Sequence, residues 1–160
     1  MTTYERLVAA QTLDGVVTAL RQTARRVLGS DGIAVVLRDN GFSHYVAEDA
    51  IQPLWRGQRF PLETCVSGWA MLNNETVVAE DIRRDPRVPV LPYQNKAICS
   101  LLMVPIGSPE PIAALGAYWC AMVHIHDDLV ARAEALAHQA ATVIARIQRS
   151  DMNQICYPEM

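Results

Sequence analysis

What the chain has little of narrows its class before any motif is read. Charged residues make up only 19% of the 160 positions, and acidic residues outnumber Lys and Arg by 17 to 14 for a net charge of −3. The broad basic surface that a polyanion demands is missing, so neither DNA nor RNA is expected as a partner. Cysteine is sparse: Cys65, Cys99, Cys120 and Cys156 stand far apart with no C-x-x-C pair. A domain of this length can stabilise itself without disulfide staples, and reduced thiols in the cytosol are the expectation. The first residues lack the basic stretch and apolar run of a signal peptide, so export is not expected. The longest uncharged stretch, residues 111–125, is interrupted by Gly116 and falls short of the ~20 apolar residues of a membrane span. Internal repeats, low-complexity tracts, an ATP site, a phospho-acceptor histidine box and a DNA-binding segment are all lacking.

What is there is apolar and periodic. Hydrophobic residues reach 51% of the chain, enough for one sizeable core. Leu13, Val17, Leu20, Ala24 and Val27 recur at steps of four and three, which predicts a helix over about residues 4–28, ended by Gly29. Residues 32–38 and 42–47 read as a hairpin about Asp39-Asn40-Gly41. After a loop containing Pro53, Trp55 and Gly57, residues 65–72 read as a short helix, with Thr64 as a candidate cap and Gly68 as a sign of close packing. Residues 77–79 suit a small strand, and residues 80–93, with three prolines, an irregular loop. Residues 98–106 and 112–120 are strongly apolar strands that place Cys99 inside the first. A last helix runs over about residues 127–149 with the stripe Leu129, Ala133, Leu136, Ala140, Val143 and Ile147. This order is α+β in a single domain over residues 1–160, with one antiparallel sheet of five or six strands. The terminal helices are expected on one face, and the small helix and long loop over a pocket on the other.

The segments CVSGWA (65–70), VVAEDIRRDPR (77–87), SLLMVPI (100–106) and PIAALGAYW (111–119), with the closing helix, resemble GAF domains, in particular those of bacterial sensor histidine kinases. The resemblance spans nearly the whole chain. It implies an antiparallel sheet with a small-molecule pocket on one face and helices, often used for dimerisation, on the other. It does not single out a ligand or cofactor, since relatives bind cyclic nucleotides, tetrapyrroles, haem or amino acids. The cyclic-nucleotide signature of the family is absent, because Ala121-Met122 precede His124-Ile125-His126-Asp127-Asp128. No cysteine here is followed by His, and Arg83 stands where the phytochrome motif beginning Asp81-Ile82 has proline, so covalent bilin attachment is not expected. The free methionine sulfoxide reductases of the family need extra cysteines in the loop that is here residues 83–96, which has none.

These readings yield candidate residues. Cys65, at a helix start, suits either a reactive thiolate or a small buried hydrophobe. Arg83, Arg84 and Arg87 beside Asp81 and Asp85 suit an anion-binding loop or a self-paired surface. Trp55, Trp69, Tyr93, Tyr118 and Trp119 could wall a pocket, although alternation sends Tyr118 and Trp119 to opposite faces. Cys120, His124 and His126 lack a zinc spacing, and His138 lies off the apolar stripe, so no metal site is expected. The ligand-binding candidates are Cys65, Trp69, Asp81, Arg84, Tyr93, Ser100 and Tyr118, with no catalytic residue among them. The helical stripes average a coiled-coil period, which puts Leu13, Val17, Leu20, Leu129, Leu136 and Val143 at the interface of an expected parallel homodimer. The expected function is a sensory module that binds an unidentified small ligand and signals through its terminal helices to a histidine kinase or other output. A thiol-dependent sulfoxide reductase and a ligand-free dimerisation module are the alternatives.

Overall fold

A computed structural model of the protein describes residues 1–156, with side chains through residue 152. Six strands, β1 (Gly32–Asp39), β2 (Phe42–Ala50), β3 (Arg59–Pro61), β4 (Val77–Ala79), β5 (Ser100–Ile106) and β6 (Ala113–Trp119), form one sheet in the order β3-β2-β1-β6-β5-β4. Every neighbouring pair is antiparallel. The first hairpin turns on Asn40 and Gly41, both at positive φ (48° and 86°), the backbone that a tight two-residue turn requires. The helices are α1 (Thr3–Ala9), α2 (Leu13–Leu28), α3 (Val66–Asn73), α4 (Val90–Tyr93) and α5 (Asp127–Cys156). Among the described residues, none of them is long and apolar enough to cross a membrane.

Alternation sorts the strands between two buried layers. Ile33 and Val35 of β1 pack with Leu102, Val104, Leu115, Ala117 and Trp119 beneath α1, α2 and α5. Ala34 and Val36 face the other way, with Leu101, Met103, Ala114 and Tyr118, beneath α3 and the long loop. Tyr118 and Trp119 therefore lie on opposite faces. In β2 a bulge opposite Val35/Val36 shifts the register, so that Tyr45 pairs with Val36 and Ala47 with Val35. One extra residue moves the outer half of β2 onto the other face: Tyr45 joins the loop-side layer and Ala47 the helix-side layer.

Several boundaries differ from the sequence expectation. The first helix is two, because Ala10 is extended (φ −67°, ψ 133°) and Thr12 caps a new start, its Oγ1 accepting from the Gly15 N–H at 3.0 Å. The apolar periodicity continues through the break, so it carries no mark of it. β3 falls in the stretch expected as loop, and β2 and α5 run further than expected. Cys99 and Cys120 flank β5 and β6 rather than belonging to them.

Burial bears on the six residues expected at a dimer interface. Leu20, Leu136, Val143 and Val17 are buried within one chain, and Leu129 packs partly against the same core. A coiled-coil period also arises when a helix lies on a sheet and against a sister helix, which is how α2 and α5 use these side chains. Leu13 alone of the six is exposed.

Candidate functional site

The loop-side layer buries polar groups as well as apolar ones. The Tyr45 hydroxyl and Ser67 Oγ are 3.0 Å apart, and Ser67 Oγ donates to Ser43 Oγ at 3.0 Å. The Cys65 thiol donates to Ser43 Oγ at 3.3 Å, while its sulfur accepts from the Gly68 N–H at 3.4 Å. Cys65 is thus the N-cap of α3, a role expected of Thr64, whose hydroxyl bonds instead to the Pro61 carbonyl at 2.8 Å. Gly68 lets α3 rest on the preceding turn: a Cβ there would stand 1.8 Å from the Leu62 carbonyl oxygen.

Trp55 sits at the centre of this layer. Its ring meets Tyr93, Tyr118 and Tyr45 edge-on, with centroids 4.9, 5.3 and 5.6 Å away, and Tyr45 meets Phe60 at 5.6 Å. The loop that carries it is held by the Glu48 carboxylate, which accepts from the backbone N–H groups of Leu54, Trp55 and Arg56 at 2.9–3.0 Å. From the other side the Trp55 indole N–H donates to the Pro92 carbonyl at 2.9 Å. The Lys96 ammonium donates to the Pro53 and Leu54 carbonyls and lies 5.8 Å from the Trp55 ring. In front of Trp55 a groove of about 580 Å³ runs between Gln58, Phe60 and Thr64 on one side and Leu91, Pro92 and Asn95 on the other.

Burial pushes the phenols of Tyr45, Tyr93 and Tyr118 well up, so all three stay neutral donors. Among the described residues the Tyr118 hydroxyl, in a residue only 1% exposed, has no partner in good hydrogen-bond geometry, and its polar neighbours are the phenols of Tyr45 and Tyr93. It lies over Gly116, where a Cβ would come within 2.6 Å of it. Among the described residues no charged side chain is buried in this layer. A neutral, donor-rich, aromatic interior of this kind suits an uncharged or weakly polar group.

The sequence candidates divide. Cys65, Tyr93 and Tyr118 converge on the loop-side layer. Trp69 borders it beneath the Arg87 guanidinium, 5.2 Å from the ring centroid. Asp81 instead caps a short turn by accepting the Arg83 N–H and pairs with Arg83 and Arg84, whose side chain is 88% exposed. Arg87 pairs with Asp85 at 2.6 Å and holds its carboxyl below the usual range. The arginine cluster is thus satisfied by its own aspartates. Ser100 faces away from the pocket: its hydroxyl donates to the Glu80 carbonyl at 2.6 Å and accepts from the Val123 N–H at 3.1 Å. Next to it, Glu80 Oε2 accepts from the Ile125 N–H at 2.7 Å and bonds His124 Nδ1 at 2.6 Å. The end of β4 is thereby tied to the run into α5. Among the described residues no group of three or more His, Cys, Asp or Glu is placed to hold a metal ion. The side chain of Cys156 lies outside the described residues.

Sequence reasoning missed Ser43, Tyr45, Phe60 and Ser67. Ser43 and Tyr45 stand two apart in a predicted strand, which marks a shared face but not which one, because the bulge decides that. Phe60 lies in a three-residue strand too short for periodicity to show.

A family model described as the GAF domain matches residues 10–145. The chain belongs to the GAF domain family. The GAF domain of an Acinetobacter phosphoenolpyruvate-protein phosphotransferase superposes with a TM-score of 0.77 at 17% identity, covering 93% of this chain and 94% of that one. The free methionine-R-sulfoxide reductase of Neisseria meningitidis, solved with its substrate, gives 0.80 at 16%, covering 92% and 87%. The chromophore-binding domain of a bacteriophytochrome from R. palustris gives 0.76 at 15%, covering 93% and 60%. At these identities the likeness is one of fold. No curated protein matches the chain. Within this GAF domain the loop-side face of the sheet is the one that carries Tyr118 and is covered by Trp55 and α3.

Proposed function

We propose that this GAF domain is a sensory module that binds a small, largely uncharged ligand in the groove in front of Trp55. On this reading it passes the bound state to α5 and from there to a histidine kinase or another output. The observation that carries the proposal is the placement of Trp55, which floors the groove and is clasped through Pro92 by the segment that covers it. A ligand that parts the β3 edge from residues 89–96 must disturb that bond. The unpartnered Tyr118 hydroxyl behind Trp55 offers a donor to a ligand that reaches inward. The Glu80 contacts to His124 and Ile125 supply a route from the loop to the first turn of α5.

This module binds rather than turns over. Cys65 is 6% exposed and already engaged by Ser43 and Gly68, and reduction of free methionine sulfoxide with thioredoxin should stay at background. The mutual contacts of the aromatic rings favour one second reading, a ligand-free module whose interior is filled by its own side chains. Native mass spectrometry of protein purified from its host separates the two. A co-purifying small molecule whose addition to stripped protein shifts the NMR signals of the Trp55 indole, Gln58 and Asn95 is the expected result. Shifts confined to α2 and α5, or the absence of any bound mass, would overturn the groove assignment. A partner copy would have to use outward residues such as Tyr4, Val8 and Leu13, which are exposed.

A further inference from the structure

Cys99 and Cys120 have no part in the groove described above, yet the sheet brings them together. Ser100 and Trp119 are the first paired residues of β5 and β6, and the two cysteines are the next residues outward on the two strands. The Cys99 N–H donates to the Trp119 carbonyl at 2.8 Å, and the Cys99 thiol reaches the Cys120 carbonyl at 3.3 Å. The Cys99 sulfur thus already touches the backbone of Cys120, and a disulfide closes where the two Cα atoms stand roughly 4.4–6.8 Å apart. Alternation from Leu101 and Tyr118 sends both side chains to the loop side, where they line one open groove of about 510 Å³ with Ile82, Val88, Tyr93 and Ile98. Both are half-buried and free.

We propose that Cys99 and Cys120 form a peroxide-responsive dithiol, which closes into an intrachain disulfide and locks the junction between β6 and α5. The groove admits a small oxidant such as hydrogen peroxide. Cys99 attacks as thiolate: an S–O bond forms, the O–O bond breaks, and the departing hydroxide takes a proton to become water. The Cys120 sulfur then attacks the Cys99 sulfur, the S–S bond forms as the S–O bond breaks, and the Cys120 proton leaves with the hydroxyl as a second water. Two thiols and one peroxide thus give one disulfide and two waters. The order of attack follows from surroundings. Burial and the neighbouring Asp31 carboxylate, which accepts the Cys120 N–H at 2.8 Å, push the Cys120 thiol up, while Gln52 donates to its sulfur at 3.8 Å. Such a thiol resolves better than it initiates.

The position gives the bond a consequence. Ser100, next to Cys99, holds both Glu80 and Val123, and Glu80 holds His124 and Ile125 just before α5 begins at Asp127. A crosslink there removes the freedom of residues 120–126 to swing away from β5. A transient disulfide of this sort is the form that thiol pairs take in a reducing compartment.

The test uses the full chain, reduced and then treated with stoichiometric hydrogen peroxide, followed by alkylation and peptide mass mapping. Wild type should lose two hydrogen atoms in a Cys99–Cys120 linked peptide pair. Cys120→Ser should leave a Cys99 sulfenic acid that dimedone traps, and Cys99→Ser should oxidise at Cys120 more slowly than Cys120→Ser does at Cys99. Amide hydrogen exchange over residues 121–129 should slow in oxidised wild type and not in peroxide-treated Cys120→Ser. A disulfide through Cys65 or Cys156, or a lasting Cys99 sulfenic acid in wild type, would overturn the pair. The expected disulfide with unchanged exchange at 121–129 would overturn the lock.

Discussion

The two faces of the sheet are built from different amino acids. Toward α1, α2 and α5 the layer is aliphatic, with Val, Leu, Ile and Ala from strand and helix and Trp119 as its one buried aromatic among the described residues. Toward α3 and the loop it holds Tyr45, Trp55, Tyr93 and Tyr118 with the buried hydroxyls of Ser43 and Ser67. An aliphatic layer gains free energy from area and close packing alone and tolerates neither charge nor void. An aromatic and hydroxyl layer keeps donors in reserve that another partner can take, at the cost of groups such as the Tyr118 hydroxyl that the protein itself leaves unmet. The first face is packed on area alone, and the second carries the buried hydroxyls and rings on which the proposed ligand site rests.

The largest effect should come from charging the aliphatic face. Leu136→Glu with Val143→Glu buries two carboxyl groups among apolar side chains, at several kcal/mol each, against a typical total stability of about 5–15 kcal/mol. The double variant should lose its folded circular dichroism spectrum rather than become a folded monomer. A folded monomer in sedimentation velocity, from a dimeric wild type, would return these residues to an interface.

Next is the seat of α3 on the other face. In Gly68→Ala the new methyl meets the Leu62 carbonyl carbon and oxygen, which are backbone and cannot rotate away. Overpacking generally costs about 1–3 kcal/mol, and this variant should reach or pass the upper end in urea unfolding. A loss well under 1 kcal/mol would show that α3 floats free of the turn.

The aliphatic face was the legible one. Helix stripes, both central strands and the hairpin turn follow from periodicity and turn chemistry, and Val77–Ala79 was read as a strand with its observed bounds. The loop-side face was read in part. Its aromatics Trp55, Tyr93 and Tyr118 stand out by composition, but the polar network depends on which way β2 turns after its bulge. A bulge shifts the alternation by one residue, and in a strand of mixed polar and apolar residues such as β2 that change of phase does not stand out. The expected dimer residues are ambiguous for a related reason: a 3.5-residue period reports that a helix face is covered, not whether sheet or partner covers it. Asp81, Arg84 and Ser100 have the residue types of a binding site, but each has its partner within a few residues or across one strand, which residue type alone does not show.

The loop-side face predicts a pair of unequal tyrosines. Tyr45→Phe removes the partner of a buried serine hydroxyl and should cost about 1–2 kcal/mol. Tyr118→Phe removes a hydroxyl that has no partner in good geometry among the described residues and should be neutral or stabilising by up to about 1 kcal/mol. Equal losses in chemical denaturation would mean that the two hydroxyls are equally satisfied and that no donor is held in reserve.

The smallest expected effect tests the tie between the faces, the Glu80 carboxylate. The Ile125 N–H, and after it the His124 ring, hold its carboxyl below the ordinary value near 4.5. A carboxyl depressed in the folded state favours folding above its unfolded value, and that contribution is lost as the pH falls through the folded one. Wild type should therefore be more stable than Glu80→Gln at neutral pH, and the gap should narrow below about pH 4.5 and close once both forms carry a neutral side chain. Because the carboxylate is exposed, added salt should shrink the gap at neutral pH as well. The Ile125 N–H holds the carboxylate independently of the imidazole, so in a His124→Ala background part of the pH-dependent gap should survive. Thermal melts of the four chains across pH 3–8 read all of this directly. A gap that stays constant with pH would mean that shape, not charge, holds Glu80 at the start of α5, and a gap abolished by His124→Ala would move the tie from the backbone of Ile125 to the imidazole.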